Sequence, residues 1–156
     1  MDKEIIANIK SLAIDMISEA GSGYPGISLG AAPILYTLYS KHMNISTSDT
    51  KWLNRDRFVM SAGCGSSLLY ATLFYAGYDL LIDDLKNYRK LDSKTPGFPE
   101  YGKTDGVDAS TGIAGSGFGV AVGMALAEKM LETKYIIPSS TRIERDRSLI
   151  NYRVYA

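Results

Sequence analysis

The residues best suited to chemistry lie in two glycine-rich turns. Ser110-Thr111-Gly112-Ile113-Ala114-Gly115-Ser116-Gly117 leads into a stretch of helical period. Glycines at 112, 115 and 117 let backbone N–H groups converge and a ligand come close, while the first turn of a helix adds unsatisfied donors and positive partial charge. A phosphate suits such a place. The same glycines also fit a packing role, because Gly115, Gly119, Gly123 and Ala127 recur every four residues as a flat stripe. An interior glycine costs about 1 kcal/mol relative to alanine, which implies a partner helix pressed on the backbone. Both readings stand. The second turn, Ser61-Ala62-Gly63-Cys64-Gly65-Ser66, follows the short apolar run Arg57 to Ser61. It sits at the carboxyl end of a strand, where α/β proteins bind ligands. Cys64 reads as a small inert residue, since a reactive thiolate needs a base or cation that the sequence does not place beside it. His42, the single histidine, falls at the polar end of a helix, where pairing with the helix dipole is its ordinary role.

These turns need elements to hold them. Ile5, Ile6, Ile9, Leu12, Ala13, Met16, Ile17 and Ala20 recur at three- and four-residue steps, predicting an amphipathic helix over Lys3 to Ala20. Gly21-Ser22-Gly23-Tyr24-Pro25-Gly26 stops it in a tight loop. A second, buried helix is expected from Leu29 to Lys41, with Ser28 as N-cap and Pro33 kinking it or setting its start. After the strand and turn, a helix runs from Ser67 to Ala76 and is capped by Gly77, giving the βα step of a parallel sheet. A short helix follows at Asp83 to Lys90. Leu91 to Thr111 has no sustained period and reads as a long loop of the kind that builds a site. Gly112 to Thr133 is helical, residues 134 to 148 are polar, and Leu149 to Ala156 reads as a second strand.

Composition bounds the function. At 156 residues, 46% hydrophobic and 22% charged, the chain is expected to be one folded, soluble domain. Seventeen Lys and Arg balance seventeen Asp and Glu without a dense basic cluster, which argues against nucleic acid or an anionic membrane as partner. No apolar run reaches transmembrane length, and acidic Asp2 and Glu4 do not suit a signal peptide, so a cytoplasmic location is expected. One cysteine and one histidine leave no zinc cluster, and no metal ligand is assigned. Two expected strands are few for a parallel sheet, so the fold class is α/β with few parallel strands flanked by helices, incomplete as a sheet.

Taken in order, five segments resemble the N-terminal, thiamine-diphosphate-binding domain of transketolases. They are Ser22-Gly23-Tyr24-Pro25-Gly26, Asn54-Arg55-Asp56-Arg57-Phe58, Ser61-Ala62-Gly63-Cys64-Gly65-Ser66, Ser93-Lys94-Thr95-Pro96-Gly97-Phe98-Pro99-Glu100 and Gly106-Val107-Asp108-Ala109-Ser110-Thr111-Gly112. The resemblance covers nearly the whole chain, as a single domain over 1–156. It implies a pentose phosphate pathway enzyme that uses thiamine diphosphate and Mg²⁺ to move a two-carbon ketol unit between sugar phosphates. It also implies sites built between two subunits, hence a homo-oligomer or association with a transketolase chain. By the same resemblance Gly112, Gly115 and Gly117 lie against the cofactor, and Gly63, Gly65 and Ser66 reach its diphosphate.

The departures bear on activity. Tyr24, Cys64 and Phe98 stand where the family's pattern has histidines, and Ile113, Ala114 and Ser116 replace its Pro-Leu and Gln. Imidazole binds diphosphate and sugar hydroxyls and moves protons near neutral pH; phenyl does none of these. The family continues past a strand like Leu149 to Ala156 into a Gly-Asp-Gly metal loop, so the expectation is a domain truncated before that loop. Weak or absent cofactor binding and no turnover by the isolated chain follow. Three readings are carried forward: a pseudoenzyme, a regulatory or structural partner docking on a full-length transketolase, and one subunit of a split enzyme.

Overall fold

The computed structural model describes residues 1–113, 115–137, 147–148 and 150–156. The first stripe folds as α1, Asp2–Ala20, burying Ile9, Ala13 and Met16 and ending on Gly21 in the left-handed conformation. α2 spans Pro25–Thr37 and continues as one π-helical turn, Leu38–His42. It starts four residues earlier than the sequence suggested, because Pro25 takes the first helical position, where its missing N–H costs nothing. Ser28 is therefore inside the helix and buried, its hydroxyl paired with Ser67 at 3.1 Å rather than capping. Pro33 lies within α2, and the Thr37 hydroxyl donates to its carbonyl at 2.8 Å.

β1, Arg57–Phe58, leads through a 3₁₀ turn at Gly63–Gly65 into α3, Ser66–Ala76, which is buried from Ser66 to Leu73 and ends on Gly77 at φ 90°. α4 is shorter than expected, Ile82–Lys86. The chain turns out of it with Arg89 and Asp92 at positive φ and the Arg89 N–H donating to the Thr95 carbonyl. α5 covers Ser116–Lys134, beginning four residues later than expected because Gly115 adopts φ 84°. Two residue pairs, β2 (Ile136–Ile137) and β3 (Arg147–Ser148), run antiparallel where the sequence showed only polarity.

The expected parallel pairing is present. β4, Val154–Tyr155, lies beside β1 with Arg57 opposite Val154 and Phe58 opposite Tyr155. It is shorter than the predicted strand. Leu149 lies outside the described residues, and 151–153 are held largely by side chains, with one backbone bond from the Arg57 N–H to the Arg153 carbonyl at 2.9 Å. Asn54 and Asn151 exchange two hydrogen bonds at 3.0 and 2.8 Å, and the Arg153 N–H donates to Asp56 at 2.7 Å. The Arg57 guanidinium covers the Tyr152 ring at 3.3 Å, and the Tyr152 hydroxyl donates to the Met124 carbonyl in α5.

Alternation along the strand divides the interior. Phe58 and Met60 enter a large core with Ile9, Ala13, Leu35, Leu68 and Leu73 from α1 to α3, and Tyr155 packs against it. Val59, between them, points to a small cluster with Ala109 and Ala121, joined by Met124 and Val154. No helix among the described residues is long and apolar enough to cross a membrane.

Candidate functional site

The two glycine turns meet. A Cβ at Gly63 would stand 2.9 Å from the Thr111 hydroxyl and 3.0 Å from the Gly112 nitrogen. One at Gly117 would stand 2.6 Å from the Ser61 Cα and 3.1 Å from the Thr111 methyl. The Thr111 hydroxyl donates to the Met60 carbonyl at 2.8 Å, closing the junction between the end of the strand and the loop before α5. Only glycine permits backbones this close. Gly65 is pressed by the side chains of Met60 and Ile27, which sets the N-terminal turn of α2 against the 61–66 turn.

The 96–99 turn is pinned from below. The Ser66 hydroxyl lies 2.8 Å from the Gly97 carbonyl and 2.9 Å from the Tyr88 hydroxyl. The Tyr70 hydroxyl donates to the carbonyls of Pro96 and Phe98 at 3.0 and 3.3 Å, and the Thr111 N–H to that of Pro99 at 3.1 Å. Phe98 consequently has a fixed backbone. Its ring lies against Gly112, 3.6 Å from where a Cβ would be, and the residue stays 39% exposed.

The five glycines and one serine expected at the site therefore divide by role. Gly63, Gly65 and Gly117 are spent on bringing segments together, and Ser66 is buried with its hydroxyl engaged. Gly112 and Gly115 face outward; at Gly115 nothing lies within 4 Å of a built Cβ. Tyr24 and Phe98 are exposed and Cys64 is half-buried, so all three substituted positions reach the surface around these turns. Ala114 lies outside the described residues. His42 is exposed at the end of the π-turn, beside Lys41, which pairs with Asp2 at 2.8 Å.

Among the described residues, the packing alternative for the later glycines finds no partner within this chain. At Gly119 and Gly123 a built Cβ finds nothing within 4 Å, and Phe118, Val122, Leu126 and Met130 of α5 are exposed.

Several residues that build the site carried little signal in sequence. Tyr70 and Tyr88 fall within the helices expected over Ser67 to Ala76 and Asp83 to Lys90, and nothing in the sequence singles them out. Burial pushes the Tyr70 phenol well above its usual range, with the neighbouring Tyr88 adding to it, so Tyr70 is a permanent donor and no base. Asp108 and Arg55 form a largely buried pair at 2.5 Å, and the Asp108 carboxylate accepts the Phe58 N–H at 2.8 Å. Burial nevertheless leaves the Asp108 carboxyl above its ordinary value, with Arg55 opposing the shift. These groups tie the loop before Thr111 to β1 and present no proton-transfer machinery at the open glycines.

Comparison with known proteins identifies the arrangement. Residues 1–148 match the family model described as transketolase, thiamine diphosphate binding domain. The chain is 54% identical over 135 residues to the transketolase of Bacillus subtilis, a match covering 86% of this chain and 20% of the relative. It is 51% identical over 152 residues to that of Geobacillus stearothermophilus, covering 97% and 22%. Among solved structures, transketolase from Leishmania mexicana superposes with a TM-score of 0.91 at 38% identity, over 99% of this chain and 22% of that one. A Pichia stipitis transketolase solved in complex with sedoheptulose 7-phosphate gives 0.85 at 44% identity, over 88% and 20%. The chain thus spans about a fifth of the length of these relatives. It belongs to the transketolase thiamine-diphosphate-binding-domain family.

Proposed function

We propose that this member of the transketolase family keeps the domain's scaffold and has lost its catalysis, so that the isolated chain transfers no ketol unit between sugar phosphates. The observation that carries the reading is the identity of the side chains at the mouth of the site. Phenol, thiol and phenyl groups at Tyr24, Cys64 and Phe98 stand where the family's pattern has imidazoles. Removing one positioned proton-transfer group lowers a rate by about a hundredfold or more, and here three change together. The backbone around Gly112 and Gly115 could still meet part of a thiamine diphosphate, but binding of it, and of the Mg²⁺ that accompanies it in the family, is weak or absent because the glycine turns carry no charged side chain. The segments 22–28, 61–67, 96–99 and 110–117 contain no Lys, Arg, His, Asp or Glu. We treat the chain as one cytoplasmic domain related to the pentose phosphate enzymes.

The test is a coupled assay with a ketose phosphate, an aldose phosphate, thiamine diphosphate and Mg²⁺ on the purified chain. No cofactor-dependent turnover is expected, and measurable turnover defeats the reading.

The exposed apolar residues of α5 favour a second role compatible with the first, association with another copy or with a complete transketolase chain. Contiguous apolar surface of this kind marks interaction sites. Sedimentation should show self-association, or a complex with an active transketolase, that Phe118→Ser with Leu126→Ser abolishes. A monodisperse monomer that ignores the complete enzyme removes this role.

A further inference from the structure

The 50–57 segment and the 101–107 loop line a cavity of about 350 Å³. We propose that it is a binding site for a small aromatic monocarboxylate, held by Arg57 and Lys51 at its carboxylate and by Trp52 and Tyr101 at its ring. None of the glycine-turn residues lines it, so it stands apart from the reading of lost catalysis. Its walls are set before a ligand arrives. The Arg55 Nε–H donates to the Thr50 carbonyl at 2.7 Å, and the Arg57 guanidinium donates to the carbonyls of Arg55 and Leu53 at 2.5 and 2.8 Å. In the loop, the Lys103 N–H closes a turn on the Glu100 carbonyl and the Val107 N–H closes the next on that of Thr104. Each turn carries a glycine at positive φ, Gly102 and Gly106.

The charges of this cavity do not balance within the chain. Arg55 is neutralised by Asp108 at 2.5 Å. Arg57 has no such partner: the adjacent Asp56 carboxylate accepts the N–H groups of Asn44 and Arg153, and the guanidinium meets two backbone carbonyls and the Tyr152 ring instead. Burial lowers the Arg57 pKa from its ordinary value. Among the described residues no acid lies within ion-pair distance of Arg57 or Lys51, and no cation within that distance of Asp105. Lys51 and Arg57 against Asp105 leave one positive charge in excess. A monoanion matches that count, whereas a phosphate dianion would bring its second negative charge toward Asp105. A guanidinium suits a planar carboxylate, to which it donates through parallel N–H groups. Trp52 and Tyr101, the aromatic residues of the lining, offer ring faces to a flat body. The volume lies at the lower end of the range for ligand cavities, about 300–1,000 Å³, and so suits a single ring.

Trp52 is the single tryptophan of the chain, so its fluorescence reports on this cavity. The experiment is a fluorescence titration of the full chain with benzoate, with benzamide as the uncharged analogue, with cyclohexanecarboxylate as the non-aromatic one, and with inorganic phosphate. Benzoate should change the Trp52 emission saturably with a Kd of about 1 mM or lower. Benzamide and phosphate should bind about tenfold or more weakly, and cyclohexanecarboxylate about threefold or more. Lys51→Met should weaken benzoate about threefold and Asp105→Asn should tighten it about threefold, as exposed charges do. Tyr101→Ala should weaken it about threefold, the loss of one stacking contact. Lys51, Tyr101 and Asp105 are exposed, so these variants test the site without disturbing the fold. Arg57→Lys, which keeps the charge and removes the fork, should weaken benzoate about tenfold. The absence of a saturable change, binding of any of the three analogues as tightly as benzoate, or an affinity unchanged in both Lys51→Met and Asp105→Asn would each overturn the inference.

Discussion

On one face of β1, Phe58 and Met60 enter a core that α1, α2 and α3 close over, where Ile9, Ala13, Leu68 and Leu73 are almost wholly removed from solvent. On the other face, Val59 clusters with Ala109 and Ala121, joined by Met124 and Val154, and among the described residues α5 turns most of its apolar side chains outward. The same strand therefore faces a closed interior and one that, among the described residues, stays open. The contrast shows where stability and where association are stored: burial of apolar surface supplies most of the folding free energy, and this chain gathers it on the α1–α3 side.

The largest effect expected from this asymmetry is a pair of leucine truncations. Leu68→Ala, inside α3, should cost about 2–5 kcal/mol, as large-to-small changes in closed cores do. Leu126→Ala on α5 should stay within about 0.5 kcal/mol, as surface changes do. Urea unfolding of both variants checks the ranking, and equal losses would show that α5 is as well packed as α3.

A sharper contrast lies within α5 itself. Gly117→Ala should destabilise by about 1–3 kcal/mol, because the new methyl runs into the Ser61 backbone and neither segment can yield without moving the site. Gly123→Ala, six residues on, should stabilise by up to about 1 kcal/mol, since the methyl enters open space in a helix. Thermal melts of the two variants should move in opposite directions; destabilisation by both would mean that the stripe is already covered.

The smallest effect is a pH dependence at the seam between the two sides, where Asp108 ties the loop to β1. Its carboxyl is raised by burial in the folded chain, so folding favours the protonated form. The corresponding stability is fully present below the ordinary carboxylate pKa and is lost as pH rises through the raised value. Relative to wild type, Asp108→Asn should therefore gain ground with rising pH across that window and level off above it. Unfolding curves over the acid range follow this, and a gain in the reverse direction would mean that the Arg55 pair outweighs burial.

The sequence made α1 legible because a three- and four-residue period survives translation into structure, and α3 because a strand and glycine turn lead into it. Helix starts were less legible. Pro25 and Gly115 each reset a boundary by four residues, the one through a missing N–H and the other through a left-handed backbone angle that only the folded chain displays. The glycine turns were legible as candidate ligand turns, but not how their glycines divide. Whether a glycine receives a ligand or a neighbouring segment depends on what arrives from residues about fifty positions away, as Thr111 does at Met60. Tyr70 was invisible for the same reason, since its carbonyl partners lie 26 and 28 residues further along the chain.

The ladder between β1 and β4 has a kinetic consequence. It joins Arg57 to Val154, so nearly a hundred residues must be looped before two rungs and the Asn54–Asn151 exchange return anything. Loop-closure entropy must be met before such distant contacts reward it, which places this pairing late in folding, after α1 to α3 have assembled. The order also governs opening. The Arg57 and Val59 amides donate to the carbonyls of Arg153 and Tyr155, so they exchange with solvent deuterium whenever the last segment lifts off. The amides of α3 must wait for the whole core to come apart.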